Sequence, residues 1–151
     1  MEIQKARPED AIYLRRIALA AYQPYVARIG KKPAPMQADF VELIGAGEVW
    51  SISEIGDILG YIVMRETGGS LHIENVAVAP EHHGQGLGRA LLEFAEDEAQ
   101  RRKLPRMELY TNALMRENLV LYTVLGWREY DRRHEEGFDR VYFERMVSGS
   151  G

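Results

Sequence analysis

The chain of 151 residues contains no cysteine. Disulfide bonds, thiolate metal ligands and a cysteine nucleophile are therefore all excluded. The sequence also lacks a run of 18 consecutive apolar residues, which is about the length that a membrane-spanning helix needs, and no signal-like apolar stretch follows Met1. We therefore expect a cytoplasmic protein that has no membrane partner.

An excess of positive charge is absent as well. The chain has 19 Lys and Arg against 23 Asp and Glu, which gives a formal net charge of −4. This balance provides no basic field for nucleic acid or an anionic membrane, so neither is an expected partner. The length is that of one ordinary domain, and we predict a single domain over residues 1–147. Ser148–Gly151 lacks any core-forming residue and is predicted to be a disordered tail or a remnant of expression.

The most informative stretch runs from residue 71 to residue 92. Its first nine residues are rich in Ile and Val and stop at Pro80, which predicts a buried strand that ends in a turn. Gly84, Gly86 and Gly88 follow, at the start of a segment whose apolar spacing predicts a helix. Glycines allow unusual backbone angles, and a helix N-terminus offers unpaired N–H groups and positive potential. Together these features are typical of an anion cradle, most naturally for phosphate.

The spacing of the three glycines distinguishes among the known glycine-rich phosphate-binding turns. Tight packing of the helix on the strand would account for the glycines without any ligand. A Walker loop requires Gly-Lys followed by Ser or Thr, whereas this helix opens with Gly88-Arg89-Ala90. A dinucleotide fingerprint requires G-x-G-x-x-G, whereas the spacing here is G-x-G-x-G. Glu108 lies at a suitable distance downstream for a ribose contact, but one acid among 23 is weak support.

The stretch resembles the signature of the GNAT superfamily of acyl-CoA-dependent N-acetyltransferases. That signature is a strand ending in x-A-V, a Pro-containing turn, and R/Q-x-x-G-x-G/A at the start of a helix. His83 stands where the family usually has Arg or Gln, a change that affects side-chain contacts more than backbone contacts to pyrophosphate. The resemblance implies that acetyl-CoA, as cosubstrate, is bound by Val76, Ala77, Val78, His83, Gly84, Gln85, Gly86, Leu87, Gly88 and Arg89.

A second motif lies in a helix predicted over residues 114–125. Asn118 and Tyr122 are four residues apart, so they project from one face of that helix. The GNAT resemblance extends to an N-x-x-x-Y pattern followed by a Gly-aromatic pair, here Gly126 and Trp127. It implies that Asn118 contacts the pantetheine arm and that Tyr122 protonates the departing thiolate. Without the first motif, Tyr122 would be interpreted as a core aromatic residue.

Transfer to an amine benefits from a base, because a lysine-like amine has a pKa of about 10.4 and an α-amino group about 8. Alternation along the predicted strand places His72, Glu74, Val76 and Val78 on one face. A Glu inside a buried strand is costly unless it is paired, hydrated or functional. Glu74, acting through a water, is therefore the first candidate, and an arginine partner is its structural alternative. His72 is the second candidate, because imidazole titrates nearer neutral pH.

The first helix is predicted to end at Pro24, where a proline-rich loop begins. Residues 22–36 contain three of the six prolines, and a long loop of this kind is either a lid or a loose connection. In GNAT proteins the segment between the first two helices borders the acceptor. The resemblance therefore implies that Tyr22 and Tyr25 bind the substrate.

The whole chain predicts the element order β-α-α-β-β-β-α-β-α-β-β. The resemblance implies an α+β, three-layer GNAT fold, with a mixed, mostly antiparallel sheet of about seven strands flanked by four helices.

The implied function is transfer of an acetyl group from acetyl-CoA to a primary amine of a small molecule or peptide, by direct attack in a ternary complex. The alternative is a catalytically silent acyl-CoA-binding regulatory module. No metal is expected, because the adjacent His82 and His83 point apart. A homodimer and the identity of the acceptor are left open.

Overall fold

Seven strands form one sheet in the order β1-β2-β3-β4-β5-β7-β6 in the computed structural model, which describes residues 1–148. The strands are β1 Glu2–Lys5, β2 Val49–Glu54, β3 Asp57–Thr67, β4 Ser70–Val78, β5 Arg106–Asn112, β6 Arg128–Glu135 and β7 Phe138–Met146. The α-helices of these residues are α1 Ala11–Ile29, α2 Phe40–Gly45, α3 Leu87–Arg101 and α4 Arg116–Val124. The predicted element order is confirmed.

The pairing of the strands is mixed. The pairs β1–β2, β2–β3, β5–β7 and β6–β7 are antiparallel, whereas β4 and β5 run parallel. In the parallel pair Ser70 lies opposite Arg106, and Ile73 lies opposite Leu109. Parallel neighbours need a long connection, which here contains α3. The predicted α+β fold class, with seven strands and four helices, is confirmed.

The chain divides into two compact units. The first unit comprises Met1–Met64 and Asn75–Ala95, and the second comprises Arg65–Glu74 and the described residues from Glu96 onward. The extent of the domain, predicted as residues 1–147, stays a prediction.

The predicted tail falls largely outside the described residues, which end at Ser148. Ser148 itself is hydrogen-bonded to the Glu96 carboxylate through its hydroxyl, at 2.6 Å. No helix within residues 1–148 combines the length and the hydrophobicity that a membrane crossing requires.

The core of the first unit packs α1 and α2 against strands β2, β3 and β4. Phe40 meets Tyr61 edge to face, with ring centroids 5.1 Å apart. A Cβ atom on Gly60 would lie 2.8 Å from the Ala77 carbonyl oxygen, so only glycine lets the two backbones approach this closely. The buried core residues are Leu14, Ile17, Ala18, Phe40, Ile44, Val49, Tyr61, Val63, Ala77 and Ala79.

The prediction that the first helix ends at Pro24 is wrong, because α1 continues to Ile29. An interior proline removes its own N–H from the helical ladder and crowds the carbonyl four residues earlier, at a cost of about 3 kcal/mol, but it does not prevent later residues from being helical. The helix ends instead at Gly30, whose φ of 87° is left-handed and whose N–H donates to the Val26 carbonyl. Tyr22 and Tyr25 therefore lie on a helix and not on the predicted loop.

The second helix also starts later than the sequence predicts. The sequence favours a helix over residues 37–44, whereas Ala34–Gln37 is a short 3-10 helix and α2 begins at Phe40. The Asp39 carboxylate accepts a hydrogen bond from the Glu42 N–H at 3.1 Å and so caps the start of α2.

Candidate active site

The glycine-rich turn of the first unit is open to a ligand. Gly84 and Gly86 have φ values of 80° and 79°, and a Cβ atom at either position would meet no atom within 4 Å. Ala90 N–H donates to the Gly86 carbonyl at 3.0 Å, so the N–H groups before Ala90 precede the helical ladder. Open backbone at a helix N-terminus can hold an anion.

Packing does not explain the glycines at positions 84 and 86, because nothing lies against them. Gly88 differs, since a Cβ atom there would be 4.0 Å from the Val78 side chain, an ordinary contact. The turn therefore needs Gly84 and Gly86 for their left-handed backbone angles.

Two carbonyl groups of β4 accept hydrogen bonds from side chains of the first unit. The Tyr22 hydroxyl donates to the Val76 carbonyl at 3.1 Å. The His83 Nε2 lies 2.8 Å from the Val78 carbonyl, and this nitrogen must carry the hydrogen because a carbonyl can only accept. The side chain of His83 thus contacts the strand along which the pantetheine arm is expected to lie.

Asn75 is a polar residue of this region that the sequence patterns did not single out. Its Oδ1 accepts from the Tyr61 hydroxyl at 3.0 Å and lies 3.3 Å from the Tyr22 hydroxyl. Its Nδ2 is buried, and the described residues give it no hydrogen-bond partner, which costs about 1–3 kcal/mol. The signal in the sequence is an amide on the strand face whose neighbouring members, Leu71, Ile73 and Ala77, are apolar. Tyr25 is the other residue predicted to bind the amine substrate. Its ring centroid lies 5.1 Å from the Arg28 guanidinium carbon.

His72 and Glu108 face each other in the second unit. They are register partners on the parallel strands β4 and β5, and His72 Nδ1 lies 3.5 Å from a Glu108 carboxylate oxygen. His72 is only 9% exposed, and burial lowers its pKa, an effect that the Glu108 charge opposes. A histidine with a lowered pKa is neutral at pH 7 and can accept a proton.

Glu108 is fixed by two other groups of the second unit. Its second carboxylate oxygen accepts hydrogen bonds from Arg106 at 2.9 Å and from the Tyr130 hydroxyl at 3.1 Å. Burial acts to raise the pKa of Glu108, but the hydrogen bonds from Arg106 and Tyr130 outweigh it and hold this pKa below its ordinary value. The carboxylate beside His72 therefore stays charged at neutral pH.

Glu74, the base favoured from the sequence, lies in a looser environment. One of its carboxylate oxygens is 4.0 Å from the Arg65 guanidinium, which is a weak ion pair between half-exposed groups. Its other oxygen is buried, and no hydrogen-bond partner for it is present within residues 1–148. An arginine partner was the structural alternative for Glu74, and the contact with Arg65 fits that alternative.

Tyr122 and Asn118 both point from α4 toward strands of the second unit. The Tyr122 ring is buried against Trp127 and Phe143, with centroid distances of 5.9 and 5.6 Å. Burial raises the pKa of Tyr122 to about 12, so its hydroxyl keeps its proton at neutral pH. Asn118 Nδ2 donates to the Thr111 hydroxyl at 3.2 Å. The shared face that the four-residue spacing predicts is present.

The predicted site residues are thus distributed over the two units. The first unit holds the acceptor candidates Tyr22 and Tyr25, together with the cofactor candidates on 76–78 and 83–89. The second unit holds the catalytic candidates His72, Glu74 and Tyr122, together with Asn118, the predicted contact of the pantetheine arm. In the part of the chain that the structure describes, no group of three or more His, Asp and Glu side chains is placed to hold a metal ion.

Known sequences and structures resemble this chain. Four curated relatives match, among them the ribosomal protein bS18 alanine N-acetyltransferases of Escherichia coli strain K12 and Shigella flexneri. Each of these two is 42% identical over 55 residues, which cover 36% of this chain and 37% of the relative. The match thus spans little more than a third of the length of these relatives.

Solved structures match over nearly the whole chain. The ribosomal-protein-S18-alanine N-acetyltransferase from Escherichia coli has a TM-score of 0.78 and 22% identity, and the match covers 99% of this chain and 96% of that one. The PaiA N-acetyltransferase from Thermoplasma acidophilum, solved in complex with coenzyme A, has a TM-score of 0.81 and 17% identity over 96% of this chain and 98% of that one. At these identities the likeness shows the shared fold. The profile of the acetyltransferase (GNAT) family matches residues 12–127, and the chain belongs to that family.

Proposed function

We propose that this protein transfers an acetyl group from acetyl-CoA to a primary amine. The observation that carries the proposal is the open backbone turn at Gly84 and Gly86, which precedes the ladder of α3 in a chain of the GNAT family. Phosphate groups suit such a turn, because unpaired N–H groups and the helix dipole both favour an anion. The neighbour solved with coenzyme A supports the choice of cosubstrate.

The first unit supplies the groups for the cosubstrate. The N–H groups of the 84–88 turn bind the pyrophosphate, and the backbone of Val76–Val78 pairs with the pantetheine arm as an added strand would. The Val76 N–H holds the thioester oxygen and then the oxyanion of the tetrahedral intermediate. The Tyr22 hydroxyl donates to the Val76 carbonyl, so Tyr22 lies beside the residue that is proposed to hold the thioester.

The second unit supplies the groups that move protons. The amine nitrogen attacks the thioester carbon, one proton leaves the nitrogen for a base, the C–S bond breaks, and the thiolate gains a proton from Tyr122. We favour His72 as the base over Glu74, because a carboxylate is fixed opposite His72 and the lowered pKa keeps its ring neutral. A base of this kind contributes about 10²–10⁴-fold to the rate.

The acceptor class is open to a direct test. The curated relative from Escherichia coli is named for an alanine of a ribosomal protein, so a peptide with an N-terminal alanine is the first acceptor to try. A lysine peptide, a polyamine and an aminoglycoside complete the panel.

Acetyl-CoA should bind with a Kd in the low-micromolar to sub-millimolar range and raise the Tm, because a ligand that binds only the folded state stabilises it by about 2.7 kcal/mol at 100 times Kd. Free thiol should then appear only when acetyl-CoA and a suitable amine are both present. Binding without thiol release for any amine would favour the silent regulatory module. Neither binding nor release would contradict the proposed function.

Replacing His72 with glutamine should lower the rate of thiol release at pH 7 by about 10²-fold, the scale of a lost general base. The loss should shrink at pH 9, where more of the acceptor amine is already neutral. Glu74→Gln is the matched variant, and it should lower the rate less than His72→Gln at pH 7. A larger, pH-dependent loss in Glu74→Gln would return the role of base to Glu74, and equal losses at both pH values would assign either residue to acceptor positioning or folding.

A further inference from the structure

The two carboxylate oxygens of Glu108 contact different groups of the second unit. One oxygen faces His72 Nδ1 at 3.5 Å, and the other accepts hydrogen bonds from Arg106 and Tyr130. Arg106 also donates to Glu144 at 2.8 Å and lies 4.9 Å from the Tyr130 ring centroid. The carboxylate is therefore held from one side and directed toward the imidazole on the other.

The ring of His72 is limited by its neighbours in the same unit. The Tyr110 ring lies against it, with centroids 5.9 Å apart and an interplanar angle of 38°. The Arg140 guanidinium also lies against this tyrosine, 4.4 Å from the Tyr110 ring centroid. His72 thus has an aromatic contact and a carboxylate at Nδ1, which together define the orientation of the ring.

We propose that Glu108 is a positioning residue for His72: it accepts the Nδ1–H of the imidazole and so leaves Nε2 unprotonated, as the atom that takes the proton from the acceptor amine. Arg106 and Tyr130 hold the carboxylate in place for this task. The inference rests on the proposed acetyl transfer. It adds the tautomer and orientation of the base, which a histidine in isolation would not specify.

The charges around His72 give the sign of the effect. Among the residues of the second unit that act on it, Glu108 on β5 and Glu74 on β4 raise its pKa, whereas burial and Arg65 on β3 lower it. Tyr110 also faces the ring and is neutral, because burial raises its pKa further above the working range. Removing the charge of Glu108 leaves burial and Arg65 less opposed, so the pKa of His72 should fall further.

A purely structural role for Glu108 is the competing interpretation, since the same carboxylate pairs with Arg106. Glu144 offers a matched control, because it also accepts a hydrogen bond from Arg106, and its ion-pair partners among the described residues are Arg106 and Arg128 and not His72. Glu108→Gln and Glu144→Gln each remove one charged partner of Arg106. Only Glu108→Gln should change the behaviour of His72.

The first measurement is an NMR titration of the His72 ring protons, which needs no activity. The chain has four histidines, and the spectrum of His72→Gln assigns the resonance. We expect the titration midpoint of His72 to move to lower pH in Glu108→Gln and to stay unchanged in Glu144→Gln. An unchanged midpoint in both variants would overturn the inference.

The second measurement is the pH profile of kcat/KM for thiol release. The rising limb should move to lower pH in Glu108→Gln, and the rate at pH 7 should fall about 10-fold or more, because a less basic and less ordered imidazole accepts protons less well. Glu144→Gln should change the Tm without moving the limb. If Glu108→Gln lowers the Tm but leaves the rising limb of its pH profile at the wild-type pH, Glu108 has only a structural role.

The outcomes separate this inference from the proposed function. An inactive wild-type protein whose His72 midpoint still responds to Glu108→Gln would contradict the acetyl transfer and leave the His72–Glu108 coupling standing. An active wild-type protein with no response of His72 or of the pH limb would contradict the positioning role alone.

Discussion

Acetyl-CoA binding is expected to be lost when Gly86 is replaced by valine. The φ of Gly86 is 79°, a region that a β-branched residue adopts only with strain, at a cost of about 1–2 kcal/mol. The new side chain would also enter the open space beside the turn, where the N–H groups are proposed to meet the pyrophosphate. Thermal shift and isothermal titration should show at least about 100-fold weaker binding, which corresponds to about 2.7 kcal/mol.

Gly56 provides the control for backbone strain. Its φ is 80°, a Cβ atom there would also meet nothing within 4 Å, and it lies in the turn between β2 and β3. Gly56→Val should therefore lower the Tm about as much as Gly86→Val but bind acetyl-CoA like the wild type. Normal binding by Gly86→Val would place the anion site elsewhere in the chain.

Replacing Tyr122 with phenylalanine should lower kcat about 10²-fold while the affinity for acetyl-CoA stays the same, because this is the scale of a lost proton donor. With a pKa of about 12, the hydroxyl keeps its proton throughout the neutral range and is available as the thiolate leaves. Phenylalanine retains the ring contacts with Trp127 and Phe143, so the fold should tolerate the change. Single-turnover thiol release measures the chemical step directly.

Tyr13→Phe is the control for this variant, because Tyr13 lies on α1 with half of its surface exposed. It should leave both kcat and affinity unchanged. If kcat of Tyr122→Phe falls only about threefold or less, Tyr122 is not the proton donor to the thiolate. Tyr122 would then be a core aromatic residue.

The local part of this fold can be predicted from the sequence, because short-range patterns determine it. Apolar runs and glycines locate β4 and the start of α3, and the four-residue spacing of Asn118 and Tyr122 correctly predicts a shared face. The exceptions are the start of α2, which lies later than the pattern suggests, and the end of α1, where a proline suggests an end that the backbone does not have. An interior proline costs about 3 kcal/mol, and tertiary packing, which short-range patterns do not show, offsets such a cost. In α1 the residues Leu14, Ile17 and Ala18 pack in the core.

The non-local part of the candidate site cannot be predicted in the same way. Glu108 becomes the partner of His72 through the register of β4 and β5, and this pairing is set by the fold and not by any neighbouring residue. From the sequence alone Glu108 is one acid among 23. The hydrogen-bond partners of Asn75, Tyr22 and Tyr61, likewise come from other elements, α1 and β3, so the sequence around Asn75 does not indicate them.

The side chains bonded to the Val76 and Val78 carbonyls have a consequence for association between molecules. A strand with bare carbonyl groups is a template on which another polypeptide can add a strand, and such pairing leads to aggregation. Here Tyr22 and His83 occupy those two acceptors within the same chain. A second polypeptide that paired through these two carbonyls would first have to displace both side chains. Because β4 lies between β3 and β5 and not at an edge of the sheet, the two hydrogen bonds satisfy acceptors at the end of an inner strand.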